Sequence, residues 1–288
     1  MAQRCYRVPW HVTNDAKLGG MPELGAGGSA GLLAAVVPAA AVAAETRADV
    51  SESELFPAEE ALIARAVPKR RREFVAGRVC ARRALARLGC EPMPLLAGPN
   101  REPLWPAGVV GSITHCEGFR AAVVARADDV PSIGIDAEPN GPTPDGVLDR
   151  ISLPTERAWV REASRAVPPV HWDRLLFCAK EAVYKTWFPL AGAWLGFEDA
   201  LVSLDAVPPS ASPPGVTTSG GGLRGTGAPW RQAGTFTAKL LVTGPTLPDG
   251  RRLTTLSGRF LVAEGLILTG IALRPADRSH DRDEGEAR

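Results

Sequence analysis

Asp136 and Glu138 stand two residues apart in Ile133-Gly134-Ile135-Asp136-Ala137-Glu138-Pro139. Ile133 and Ile135 read as a strand that Pro139 ends, and residues i and i+2 of a strand point to one side. The two carboxylates therefore converge where the strand runs out, and they repel unless a cation sits between them. Hard oxygen ligands with room left for water and phosphate suit Mg²⁺. Upstream, Gly111-Ser112-Ile113-Thr114-His115-Cys116 sets two small hydroxyls beside a histidine at a strand end, a set that can hold a phosphate. Downstream, Phe177-Cys178-Ala179-Lys180-Glu181-Ala182-Val183-Tyr184-Lys185 carries two of only five lysines in a chain with 33 basic residues. Glu181 and Lys185 are i and i+4, adjacent on one helix face. Each segment alone has an ordinary alternative: an acidic turn, a structural histidine, a solvated ion pair.

The elements that must carry these residues are legible. Prolines bound the lysine segment, which reads as one helix from after Pro168-Pro169 to before Pro189, with Leu175, Leu176, Val183 and Trp187 as apolar positions. Pro57-Ala58-Glu59-Glu60 opens an earlier helix that Pro68 interrupts. A second helix then runs to about Leu88 and ends at Gly89, with Phe74, Ala81, Leu85 and Leu88 as its stripe. Arg71, Arg78 and Arg82 share one face of it, either a solvated cationic face or an anion site. Strands are expected near 109–114, 119–126 and 132–136, and again near 200–204, 235–242, 258–262 and 266–273. Helices at 155–166 and 172–187 precede the second set. The order repeats, so the fold class is α/β (α+β) with two similar halves, 31–140 and 141–274, joined by a Pro/Gly/Asp-rich linker at 139–150. Residues 1–30, 207–230 and 275–288 lack apolar periodicity and are expected to be disordered; Met21 is a second candidate start.

Bulk properties narrow the class. With 288 residues and a formal net charge of +1, the chain shows no sign of a nucleic-acid partner. Its five cysteines, Cys5, Cys80, Cys90, Cys116 and Cys178, match neither a zinc site nor a disulfide framework and suit a reducing cytoplasm. Leu32 to Ala44 is apolar, but Pro38 interrupts it, no cationic segment adjoins it, and it is too short to span a bilayer. It reads instead as the first strand and the loop after it.

Order and spacing of the three motifs make the chain resemble the 4′-phosphopantetheinyl transferases of the Sfp type, closest to the actinobacterial PptT branch. The similarity runs from about Leu32 to Leu273, with Lys69-Arg70-Arg71-Arg72-Glu73-Phe74, Trp172-Asp173-Arg174 and Trp194-Leu195-Gly196-Phe197-Glu198-Asp199 in support. The resemblance implies a pseudo-twofold pair of halves with the site between them. It implies a monomer that moves the phosphopantetheine arm of coenzyme A to a serine of apo acyl or peptidyl carrier proteins and releases 3′,5′-ADP. By the same resemblance Asp136, Glu138 and Glu181 hold Mg²⁺, and Glu181 takes the serine proton. Lys185 and Lys180 meet phosphate, Ser112, Thr114 and His115 fix the pyrophosphate, and Arg70 and Arg78 hold the 3′-phosphate. One loop departs from the family: where relatives carry lysines near the adenine, this chain has Ala97 and Asn100, leaving Arg101 as the substitute. Three other readings stay open here: another Mg²⁺-dependent phosphotransferase or hydrolase, a catalytically silent coenzyme A-binding module, and a membrane-attached or secreted factor resting on Leu32–Ala44.

Overall fold

A computed structural model of the chain describes residues 31–206, 230–247 and 249–275. The stretches expected to be disordered lie outside these residues, apart from Trp230 and Pro275.

The strands build two antiparallel sheets. β1 (Val42–Thr46), β2 (Val109–Cys116) and β3 (Phe119–Arg126) form a small sheet in the order β1-β3-β2. β4 (Ile133–Pro139), β5 (Ala200–Ala206), β6 (Arg231–Leu240), β7 (Thr255–Ala263) and β8 (Leu266–Ala272) form a larger one in the order β4-β8-β7-β6-β5. Tight turns set the hairpin registers. Between β7 and β8, Glu264 and Gly265 both take positive φ, 53° and 75°, as a two-residue turn matched to strand twist requires.

Five α-helices among the described residues complete the fold: α1 (Pro57–Leu62), α2 (Pro68–Arg87), α3 (Val147–Ile151), α4 (Pro154–Ala166) and α5 (Trp172–Ala191). Proline opens α1, α2 and α4, where its missing N–H costs nothing. Each sheet is covered by one long helix. Cys80, Ala81, Ala84 and Leu85 of α2 pack on Val109, Ala122 and Val124 of the small sheet. Leu175, Leu176, Ala179 and Val183 of α5 pack on Phe236, Phe260, Ile267 and Ile271 of the large one. Such burial stabilises by roughly 1.5–3 kcal/mol per large side chain, and the one-helix-on-one-sheet unit occurs twice, as the repeated order predicts. No helix among the described residues is long and apolar enough to cross a membrane.

Three expectations change. The first strand is not at the start of the apolar run: Leu32–Ala35 is a 3₁₀ turn, and the strand is Val42–Thr46, beyond Pro38. α5 does not stop before Pro189 but carries it in its last turn. A proline there removes one amide hydrogen bond, and the helix closes three residues later at Gly192, φ 60°, whose N–H reaches the Phe188 carbonyl. β4, which precedes the linker, pairs with β8 from Ile133↔Ala272 to Pro139↔Leu266 and so belongs to the larger sheet.

That placement makes a seam. β2 and β4 are both sheet edges, and an edge strand's free N–H groups need acceptors. The Ile135 N–H donates to Ser112 Oγ at 3.1 Å, and the Ala137 N–H donates to Thr114 Oγ1 at 3.0 Å. From the other side, α5 comes down on β4 at Gly134, where a Cβ would meet Thr186 Oγ1 and the Ala182 carbonyl oxygen. Small residues in both motifs thus let two sheets and a helix meet around Asp136.

Candidate active site

Asp136 lies at that junction and is 5% exposed. Its Oδ1 accepts from Lys185 Nζ at 2.7 Å and from Thr114 Oγ1 at 3.1 Å, and its Oδ2 is buried without a partner among the described residues. Lys185 Nζ also donates to the Ile135 carbonyl at 3.2 Å. Burial works against the Lys185 ammonium, but Asp136 outweighs it and holds the pKa above the usual lysine value. Glu138 receives Arg174 Nη1 at 3.1 Å, yet burial and then the Asp136 charge push its pKa up to about 7. Burial, with Asp136 second, likewise raises Glu181, and Lys185 opposes the shift. The two converging carboxylates on β4 are thus each countered by a protein cation, Lys185 and Arg174. Among the described residues no three His, Cys, Asp or Glu side chains are gathered closely enough to hold one ion. The donor set still suits a hard divalent cation: the Asp136 charge helps to raise Glu138 and Glu181, and the buried Asp136 Oδ2 has no partner among the described residues.

A cleft of about 1090 Å³ opens beside this network, lined by Arg70, Phe74, Arg78, Ser112, His115 and Lys185 among others. Arg78 is nearly buried and lies over the Phe74 ring at 4.4 Å, and its Nε donates to the Leu95 carbonyl at 2.8 Å. Burial lowers its pKa to about 10, which leaves it charged at neutral pH. Arg70 Nη1 donates to His115 Nε2 at 2.9 Å, so the ring proton sits on Nδ1, 3.7 Å from Glu73 Oε2. Burial lowers the His115 pKa, and Glu73 works against that shift. The arginine trio of α2 divides. Arg71 grips Glu52 and the Ile63 carbonyl, Arg82 grips Glu59, and only Arg78 lines the cleft.

Two expected phosphate contacts are corrected. Lys180 is 3% exposed, and its Nζ donates to Glu156 Oε2 at 2.8 Å, the Phe197 carbonyl at 2.6 Å and the Ala200 carbonyl at 3.1 Å. All three ammonium hydrogens are engaged, so none remains for a phosphate. Thr114 is also buried; its hydroxyl accepts from Ala137 and donates to Asp136, so it orients a carboxylate rather than lining the cleft. Ser112 does line the cleft, and its hydroxyl hydrogen is free of any acceptor among the described residues. Glu181 lines a second, smaller cavity of about 80 Å³ with Tyr184, Trp194 and Phe197. The loop that departs from the family, including Ala97, Asn100 and Arg101, forms one wall of the large cleft, with Arg101 held at φ 69°. Arg174 and Glu73 stand in the stretches that support the resemblance, but the sequence assigns neither a role. Helical spacing could have found the first, since residues 174, 181 and 185 share one face of α5.

Comparison with known proteins gives a consistent picture. Residues 58–125 match the 4′-phosphopantetheinyl transferase N-terminal domain, and residues 132–220 match the 4′-phosphopantetheinyl transferase superfamily. The chain is 49% identical over 258 residues to the 4′-phosphopantetheinyl transferase Svp of Streptomyces mobaraensis, covering 88% of this chain and 94% of that protein. It is 49% identical over 247 residues to PptT of Mycobacterium tuberculosis, covering 84% and 98%. It is 46% identical over 241 residues to Npt of Nocardia iowensis, covering 84% and 99%.

Proposed function

Because the chain belongs to the 4′-phosphopantetheinyl transferase superfamily, we propose that its large cleft holds coenzyme A and that Asp136, Lys185 and Glu181 carry out the transfer beside it. The enzyme moves the 4′-phosphopantetheine group of coenzyme A to carrier proteins. In the step proposed, the carrier serine oxygen bonds to the phosphorus on the pantetheine side of the pyrophosphate. The bond from that phosphorus to the bridging oxygen breaks, and 3′,5′-ADP leaves with the electron pair. The serine proton passes to Glu181, directly or through water. The raised pKa of Glu181 makes its carboxylate a stronger base than an exposed glutamate.

Lys185 supplies a fixed positive charge where the leaving phosphate gains negative charge, and Asp136, itself held by the Thr114 hydroxyl, keeps it in place. Arg70 and Arg78 hold the 3′-phosphate, while Ser112 and His115 contact the pyrophosphate. Mg²⁺ would neutralise the pyrophosphate charge, and the buried Asp136 Oδ2, without a partner among the described residues, is the oxygen that would hold it; Glu138 and Glu181 are not gathered with it into one ligand cluster. The observation that carries the reading is the 2.7 Å Lys185–Asp136 pair at the edge of a cleft lined by four arginines, Arg70 and Arg78 among them. The free thiols Cys80, Cys90, Cys116 and Cys178 agree with a cytoplasmic enzyme, which we take to act as a monomer. Mass spectrometry of an apo carrier protein incubated with the enzyme, coenzyme A and Mg²⁺ tests the proposal. The carrier should gain one phosphopantetheine, and 3′,5′-ADP should appear only when the carrier is present. An unmodified carrier would refute the assignment.

A further inference from the structure

Glu59 is fully buried in the first turn of α1, yet no part of the proposed chemistry uses it. A buried carboxylate is costly unless its oxygens are satisfied. Here they are. Oε1 accepts the Leu95 N–H at 2.9 Å, Oε2 accepts the Phe56 N–H at 3.0 Å, and Arg82 Nη1 donates to both, at 2.8 and 2.7 Å. Leu95 is itself fully buried, and its carbonyl accepts Arg78 Nε at 2.8 Å. One peptide segment therefore has its N–H fixed by Glu59 and its carbonyl fixed to Arg78.

The consequence falls on the Arg78 guanidinium. Its Nε edge is committed to Leu95, its face to the Phe74 ring, and its two terminal nitrogens have no partner among the described residues while the side chain lines the cleft. That is the arrangement of a fork aimed at two oxygens of one phosphate. From this chain of contacts we infer that Glu59 is a positioning residue for 3′-phosphate recognition: through Leu95 it fixes the direction of the Arg78 fork, so it governs selection of coenzyme A over dephospho-coenzyme A. Glu59 also provides the favourable charge for Arg78 that opposes the desolvation weakening its protonated form.

The inference rests on Arg78 being a 3′-phosphate ligand, and the experiment separates the two claims. Affinities for coenzyme A and dephospho-coenzyme A are measured by calorimetry on Glu59→Gln, Glu59→Gln/Arg82→Gln and Arg78→Ala. The double variant removes the buried pair together, so no uncompensated charge threatens the fold. Glutamine keeps the shape of Glu59 but cannot accept on both terminal atoms. Both Glu59 variants should bind coenzyme A about tenfold more weakly, as for a 1.4 kcal/mol loss, with dephospho-coenzyme A changed less than about twofold and kcat retained. If Arg78→Ala weakens both ligands equally, the 3′-phosphate reading fails. If Arg78→Ala discriminates and the Glu59 variants weaken both ligands equally or neither, Glu59 is only structural and the inference is overturned.

Discussion

Asp136 decides the electrostatics of the site because the titratable groups around it respond to its charge: Lys185 is stabilised as a cation, while Glu138 and Glu181 are pushed toward their neutral forms. Asp136→Asn should therefore lower the pKa of Glu138 below about 7 in metal-free protein, measured by carboxyl NMR titration. It should also abolish transfer. The sign for stability follows from linkage. Glu138 binds its proton more tightly folded than unfolded, so its contribution is present below the unfolded value of 4.5 and is lost as pH rises toward about 7. An unshifted Glu138 titration would mean the two carboxylates do not interact. Glu181→Gln keeps the shape of the side chain but removes its charge and its ability to accept a proton. It should stop transfer in single-turnover assays while equilibrium binding of coenzyme A stays near wild type, and wild-type turnover would remove Glu181 from the role of base.

Among the elements, α5 does two jobs on two faces. Lys180 and Lys185 are five residues apart, about 140° around a helix of 3.6 residues per turn, so they cannot serve one phosphate group. Lys185 faces β4, whereas Lys180 ties α5 to Glu156 at the start of α4 and to carbonyls at the entry to β5. Lys180→Met should destabilise the protein by roughly 3–5 kcal/mol by leaving Glu156 buried and unpaired. Coenzyme A affinity of the folded fraction should stay unchanged. Denaturant unfolding with parallel binding isotherms checks this, and a loss of affinity without loss of stability would return Lys180 to the phosphate site. The 97–101 loop makes the opposite case. It walls the cleft but carries no lysine, so Arg101→Ala should weaken coenzyme A binding. Ala97→Lys should strengthen it by at most about 1 kcal/mol, and the gain should shrink as salt rises. Isotherms at two salt concentrations showing no change for either variant would detach the loop from the nucleotide.

For the molecule as a whole, the seam between β2 and β4 joins the two sheets through side chains rather than strand pairing. Thr114→Val keeps the shape of the side chain but leaves the Ala137 N–H without its acceptor, a cost of roughly 1–3 kcal/mol. Transfer should also fall, because Asp136 loses the hydroxyl that holds its Oδ1. Calorimetric unfolding and hydrogen exchange at the Ala137 amide report on this directly. An unchanged Tm with unchanged protection would show that the sheets are held elsewhere.

Much of this protein was determined by local sequence alone. Prolines at helix starts, apolar stripes at helical spacing and short β-rich runs between glycines are short-range signals, and the helices and strands they predict recur in the structure with small changes of boundary. The motif residues Asp136 and Lys185 were legible for the same reason, as unusual residue types at strand or helix spacing. Tertiary structure alone decided which charges meet. Arg174 reaches Glu138 across 36 residues, Lys185 reaches Asp136 across 49, and Glu59 reaches the Leu95 amide across 36. It also took two phosphate contacts away, turning Lys180 and Thr114 inward to satisfy buried partners. The physical reason is that a buried polar group must find a partner wherever packing places it. Packing brings together atoms that no local pattern in the chain connects.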